Sequence, residues 1–216
     1  MEAEWNPRDP AGEMNFIAKV RHESAFPTVA VAQAWLHHDD CPQVLEAQLR
    51  HDFVRGVRHK PNTGMMDDSK WRAGYARLAP LGLHFELQAP WRQLDEAVRL
   101  ARDFPGTTII LNHAGLPSDE DLGGWKTSMS ALAACPNVAV KISGLGRVTR
   151  KREVVLAAID TFGVARAMFA SNFPVDGLCA SFDEIYSSFD ELTRGFFEEE
   201  RRALFHDNAV RFYRMP

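Results

Sequence analysis

A chain of 216 residues, 45% apolar and 25% charged, is long enough to bury a substantial core and sits near globular averages, so residues 1–216 are read as one domain. Its formal net charge of -4, with the signs interspersed, offers no basic stripe for nucleic acid. No run approaches the roughly 20 apolar residues that span a bilayer, and Met1-Glu2-Ala3-Glu4-Trp5 lacks the basic and apolar regions of a signal peptide, so a cytoplasmic setting is expected.

Pro7 and Pro10 exclude an ordinary helix interior at the opening, which reads as the end of a strand whose beginning is absent, and a helix is expected through Met14–Glu23. Pro27 introduces a strand over 28–36. The polar loop His37-His38-Asp39-Asp40 and a short helix over 42–51 follow. Neighbouring side chains on a strand point to opposite faces, so His37 and His38 are read as a solvated loop rather than a ligand pair. Three cysteines, Cys41, Cys135 and Cys179, are an odd number without CxxC spacing and are expected to be reduced bystanders.

The next strand, over 54–60, gathers Arg55, Arg58, His59 and Lys60, which suits an anionic or carboxylate-bearing ligand. Pairing with acids on adjacent helices is the equal alternative. After a helix over 67–81, Leu83–Gln88 alternates His84, Glu86 and Gln88 with Leu83, Phe85 and Leu87. In a closed parallel barrel one face of each strand looks into the lumen, and polar groups near its C-terminal end are typically functional. Gln88 is thus a site candidate, and His84 a packing residue or one that supports the site from behind.

A helix over 91–104 leads to Thr107-Thr-Ile-Ile-Leu-Asn-His113-Ala-Gly115, a buried strand delivering an imidazole at its C-terminal end. A helix over 122–134 precedes Val138–Ser143, with Lys141 and Ser143 on one face. A lysine in so apolar a run is costly unless paired or functional. A helix over 150–162, a last strand and turn over 166–176 carrying Asn172 and Asp176, and helices over 182–192 and 198–213 complete the chain. Strand alternates with helix six times, the pattern of a parallel sheet or barrel.

The strand over 54–61, Asn112-His113-Ala114-Gly115, Asn137-Val-Ala-Val-Lys-Ile-Ser-Gly-Leu145 and Phe169-Ala-Ser-Asn-Phe-Pro174 together resemble the amidohydrolase-related lactonases of the amidohydrolase superfamily, the 2-pyrone-4,6-dicarboxylate and sugar-acid lactonases. The resemblance runs over nearly the whole chain. It implies an α/β fold, a (β/α)8 TIM-like barrel of the metal-dependent hydrolase type with its site at the C-terminal face. Met1–Trp5 would end the second strand, so the chain would be N-terminally truncated, lacking the first strand and most of the second. The family's His-x-His pair occurs nowhere, and Ser171-Asn172-Phe173-Pro174 stands where relatives carry Ser-Asp-Trp-Pro.

The resemblance implies hydrolysis of a lactone or related cyclic ester of a small carboxylic or sugar acid. His113 would polarise the carbonyl or bind a metal, Asp176 would serve as acid/base, and Asn172 would orient substrate or water. Arg58, His59, Lys60 and Gln88 would hold the substrate, with Lys141 and Ser143 beside them. No tightly bound metal is expected; a divalent metal such as zinc belongs with a restored His-x-His strand. The expected partner is a small carboxylate or lactone, with neither nucleic acid nor membrane, and the chain is a candidate homo-oligomer. The alternative is a catalytically silent truncated paralogue that folds as an oligomer or binds carboxylates without turnover.

Overall fold

Apolar runs that end at a turn become strands in the computed structural model, which describes residues 5, 6, 8–146 and 148–216. The strands are β1 (Ala30–Gln33), β2 (Val54–His59), β3 (His84–Leu87), β4 (Ile109–Leu111), β5 (Val138–Ile142) and β6 (Ala167–Phe169). They form one sheet in the order β1-β2-β3-β4-β5-β6, with every neighbouring pair parallel. Parallel neighbours require long crossovers, normally helical. Helices α2 (Cys41–Gln48), α3 (Ser69–Tyr75), α4 (Leu94–Asp103), α5 (Leu122–Ala133) and α6 (Lys151–Phe162) provide them, while α1 (Gly12–Ser24) precedes the sheet and α7 (Phe182–Leu192) follows it.

Local chemistry sets several helix starts. The Asp68 side chain accepts from the Trp71 amide at the head of α3, and Asp121 from the Gly124 amide at the head of α5. Ser181 and Glu184 form a reciprocal capping box at α7. The helical run expected over 198–213 is α8 (Glu198–Arg202) and α9 (Asn208–Tyr213), joined by a π-turn over Ala203–Asp207.

Side-chain alternation along the strands divides the interior. One face, with Val57, Phe85, Leu87, Ile109, Leu111 and Val140, joins the large core shared with the helices. The opposite face carries a small floor of Ile110, Ala139 and Met168 packed against Tyr213 from α9. The register places Gly56 beside His84 and Arg58 beside Glu86 on this face. A Cβ on Gly56 would lie 2.4 Å from the His84 ring, so this close approach requires glycine.

The sheet is that of a (β/α)8 TIM-like barrel, α/β in class, with six strands among the described residues, as the sequence leads one to expect. Strands β1 and β6 each pair on one side. Between them lies a cavity of about 430 Å³ bounded by Ile17 and Val31 on one flank and Met168 and Ala170 on the other. Of Met1–Trp5, expected to end a further strand, Met1–Glu4 lie outside the described residues, and Trp5 is not in a strand.

Candidate active site

The C-terminal ends of β1 to β4 converge on a cleft of about 280 Å³, and four residues expected to hold substrate, Arg58, His59, Lys60 and Gln88, stand on its wall. Arg58 is buried. Its Nη2 donates to Glu13 Oε1 of α1 at 2.6 Å and its Nη1 to the Val31 carbonyl at 2.5 Å. The ion-paired reading therefore applies to Arg58 even though it lines the cleft. Lys60 is exposed at the mouth. Arg55, grouped with these cations from the sequence, is a correction: its guanidinium bonds the carbonyls of Asp52, Val54 and Arg214 at the opposite end of β2.

His59 is clasped by rings. Trp71 Nε1 donates to its Nδ1 at 3.0 Å, and the His37 ring lies parallel to it at 5.8 Å between centroids. Burial, followed by neighbouring His37 and His38, pushes the His59 pKa down to about 4. The solvated-loop expectation fits His38, which is exposed, but not His37, which lines the cleft. Residues 36 and 37 sit in a turn, so strand alternation did not apply there.

Below the cleft, Glu86 gathers a polar cluster that strand alternation hinted at without revealing its partners. It accepts from Lys141 Nζ at 3.0 Å, from Asn112 Nδ2 at 3.1 Å and from the Tyr213 hydroxyl. Burial alone would raise its carboxyl; the Lys141 charge leads the opposing contributions, which hold it at about 2. Lys141, expected to hold substrate, is thus turned to Glu86 and lines the cavity between β1 and β6 rather than the cleft. His84 is a packing residue as expected, edge-on to Tyr213, with burial lowering its pKa to about 4.

The expected catalytic residues lie apart from the cleft lining. His113 shares a 2.9 Å hydrogen bond with Ser143 Oγ. After β4 the backbone turns through four consecutive positive φ values, His113 (54°), Ala114 (47°), Gly115 (71°) and Leu116 (54°). Three of these are non-glycine residues in a left-handed conformation that costs energy and clusters at functional sites. Gly144, at φ 67°, lies so close that a Cβ there would be 2.6 Å from His113 Nδ1. With Asp176 it also lines a small cavity of about 60 Å³. Asn172, itself at φ 52°, donates to Asp176 Oδ1 at 3.1 Å.

The pattern of the family described as Amidohydrolase matches residues 14–215. The protein y4mH of Sinorhizobium fredii is 40% identical over 235 residues, covering 100% of this chain and 79% of that protein. L-fucono-1,5-lactonase of Burkholderia multivorans is 30% identical over 202 residues, 81% of this chain and 68% of that one. A crystal structure of an amidohydrolase from Burkholderia multivorans with bound zinc superposes at a TM-score of 0.87 with 27% identity, covering 95% of this chain and 80% of that chain. Among the described residues here, no three His, Cys, Asp or Glu side chains converge as a metal-ligand set. They do not fit a zinc site with three protein ligands. Spanning nearly its whole length, the match to the family places this chain in the amidohydrolase family of hydrolases.

Proposed function

We propose that this chain opens the ring ester of a lactone derived from a small carboxylic or sugar acid. The observation that carries the reading is the donor-rich cleft, where Arg58, His59, Lys60 and Gln88 meet at strand ends, suited to carboxylate, hydroxyl and carbonyl oxygens. The lactonase named among its relatives supports it.

In this reading a water oxygen adds to the ring carbonyl carbon, the ring C–O bond breaks, and the departing alkoxide takes up the proton that the water gave to Asp176. That step requires Asp176, which lines a neighbouring cavity rather than the cleft, to reach the bound ring. Asn172, hydrogen-bonded to Asp176, orients that carboxylate and the water. His113, steadied by Ser143, meets the charge developing on the carbonyl oxygen. Lys141 acts by holding Glu86, which in turn fixes Asn112 on the cleft wall.

A pH-indicator assay over a lactone panel that includes L-fucono-1,5-lactone, run with and without chelator, tests the reading. Ring opening by the wild type that falls about a hundredfold or more in Asp176→Asn supports it. A second reading, carboxylate binding without turnover, is favoured by the amide at Asn172, which cannot take a proton. Calorimetric binding of L-fuconate with no ring opening would establish that second reading instead.

A further inference from the structure

We propose that Trp71 locks His59 as the neutral Nε2–H tautomer, so that the cleft holds an imidazole that donates a hydrogen bond and never acts as a base. Trp71 is then a positioning residue for the site. This rests on reading the cleft as the substrate site.

The argument is one of donor bookkeeping. An indole N–H can only donate. With Trp71 Nε1 at 3.0 Å from His59 Nδ1, that nitrogen must offer its lone pair. A neutral imidazole carries one N–H, which must then sit on Nε2. Protonating Nδ1 would set two N–H groups against each other where Trp71 is 0% and His59 7% exposed, a contact too buried to be relieved cheaply. His37 presents its ring face rather than an acceptor, lying nearly parallel at 6°. No hydrogen bond from Nε2 to any described residue forms, which leaves that N–H for the cleft.

The charges around the ring point the same way. Arg58 and Lys60 flank it on β2 and its extension, and His37 and His38 approach from the preceding loop. Glu86, the acid on the neighbouring strand, is already held by Lys141, Tyr213 and Asn112. Nothing here rewards a positive imidazolium. A neutral donor suits the oxygen of a polarising carbonyl, because it gains strength as negative charge develops and does not bind the product carboxylate as a full cation would. Proton removal from water is left to a different residue.

The test uses the full chain labelled with 15N-histidine and two-bond 1H–15N correlation spectra between about pH 5.5 and 8.5, where an ordinary histidine titrates. His59, assigned by the signals missing from His59→Gln, is expected to show a protonated Nε2 and an unprotonated Nδ1 throughout. Trp71→Phe, which keeps a ring but removes the N–H, is expected to release this pattern into titration or a tautomer mixture. A wild-type His59 that titrates near about 6.5, or that carries its proton on Nδ1, overturns the inference. Should Trp71→Phe not fold, His59→Gln against His59→Leu decides, because the glutamine amide offers an acceptor to Trp71 and an N–H to the cleft. With L-fucono-1,5-lactone, His59→Leu is expected to lose kcat about tenfold or more, and His59→Gln to recover most of that loss. Equal losses in both variants would overturn the donor role. A locked tautomer in a chain that opens no lactone would leave the inference standing and remove the proposed activity.

Discussion

Replacing Lys141 with methionine removes a charge from the polar cluster while preserving most of the side-chain volume. Glu86 is 4% exposed and, among the described residues, would keep Asn112 and Tyr213 as hydrogen-bond partners. A carboxyl held at about 2 in the folded chain against 4.5 unfolded contributes about 3 kcal/mol of stability. Breaking a buried ion pair from one side costs about 3–5 kcal/mol, and the two surviving hydrogen bonds place this variant at the lower end. For a chain of 216 residues that corresponds to a Tm lower by roughly 6–12 °C. The pH dependence is diagnostic. In the wild type the depressed carboxyl gives stability that is present above pH 4.5 and is lost as pH falls toward about 2. Without Lys141, burial dominates and lifts the folded carboxyl above its unfolded value, so the penalty is absent at low pH and grows as pH rises. The deficit between the two proteins, measured by urea unfolding, is therefore expected to be largest near about pH 7.5 and to narrow toward about pH 4. A deficit below about 1 kcal/mol with no pH dependence would refute the reasoning, since that is how an exposed pair behaves.

Gly144→Ala is expected to cost about 2–3 kcal/mol in urea unfolding, because it combines a left-handed backbone with a clash against the His113 ring. Gly82→Ala separates the two contributions, having the same φ of 67° with nothing within 4 Å of the added methyl, and is expected to cost only about 1 kcal/mol. Arg58→Met leaves Glu13, 3% exposed, without its guanidinium, and is expected to cost about 3 kcal/mol, with Glu13→Gln in the same chain restoring a measurable part in a double-mutant cycle.

The strand order was legible because each strand is a short apolar run and each pairs with its neighbours in sequence, so local pattern and global topology agree. Lys141 also announced itself, as a charge that its apolar surroundings would tolerate only if paired. Its partner did not, since Glu86 lies 55 residues away and Tyr213 a further 127 residues from Glu86. The same limit hid Glu13 from Arg58 and Trp71 from His59. Arg55 was misplaced for a different reason: three residues along a strand span about 10 Å, enough to carry a side chain from one end of a short β2 to the other. His37 was misjudged because the strand stops at Gln33, and alternation says nothing about the turn that follows.

The cluster around Glu86 also imposes an order of events on synthesis. As the polypeptide emerges, β1, β2 and β3 can pair one after another, each with a neighbour already made. Glu86 arrives with β3, but its ammonium partner is translated only with β5 and its phenol only at residue 213. Until then a carboxylate destined for the interior has only Asn112, which follows β4, and water to satisfy it, so the sheet can be laid down in sequence while that face stays wet. The final drying of that face waits for the C-terminal helix, and the nascent chain in that interval is the form most exposed to chaperones and proteases.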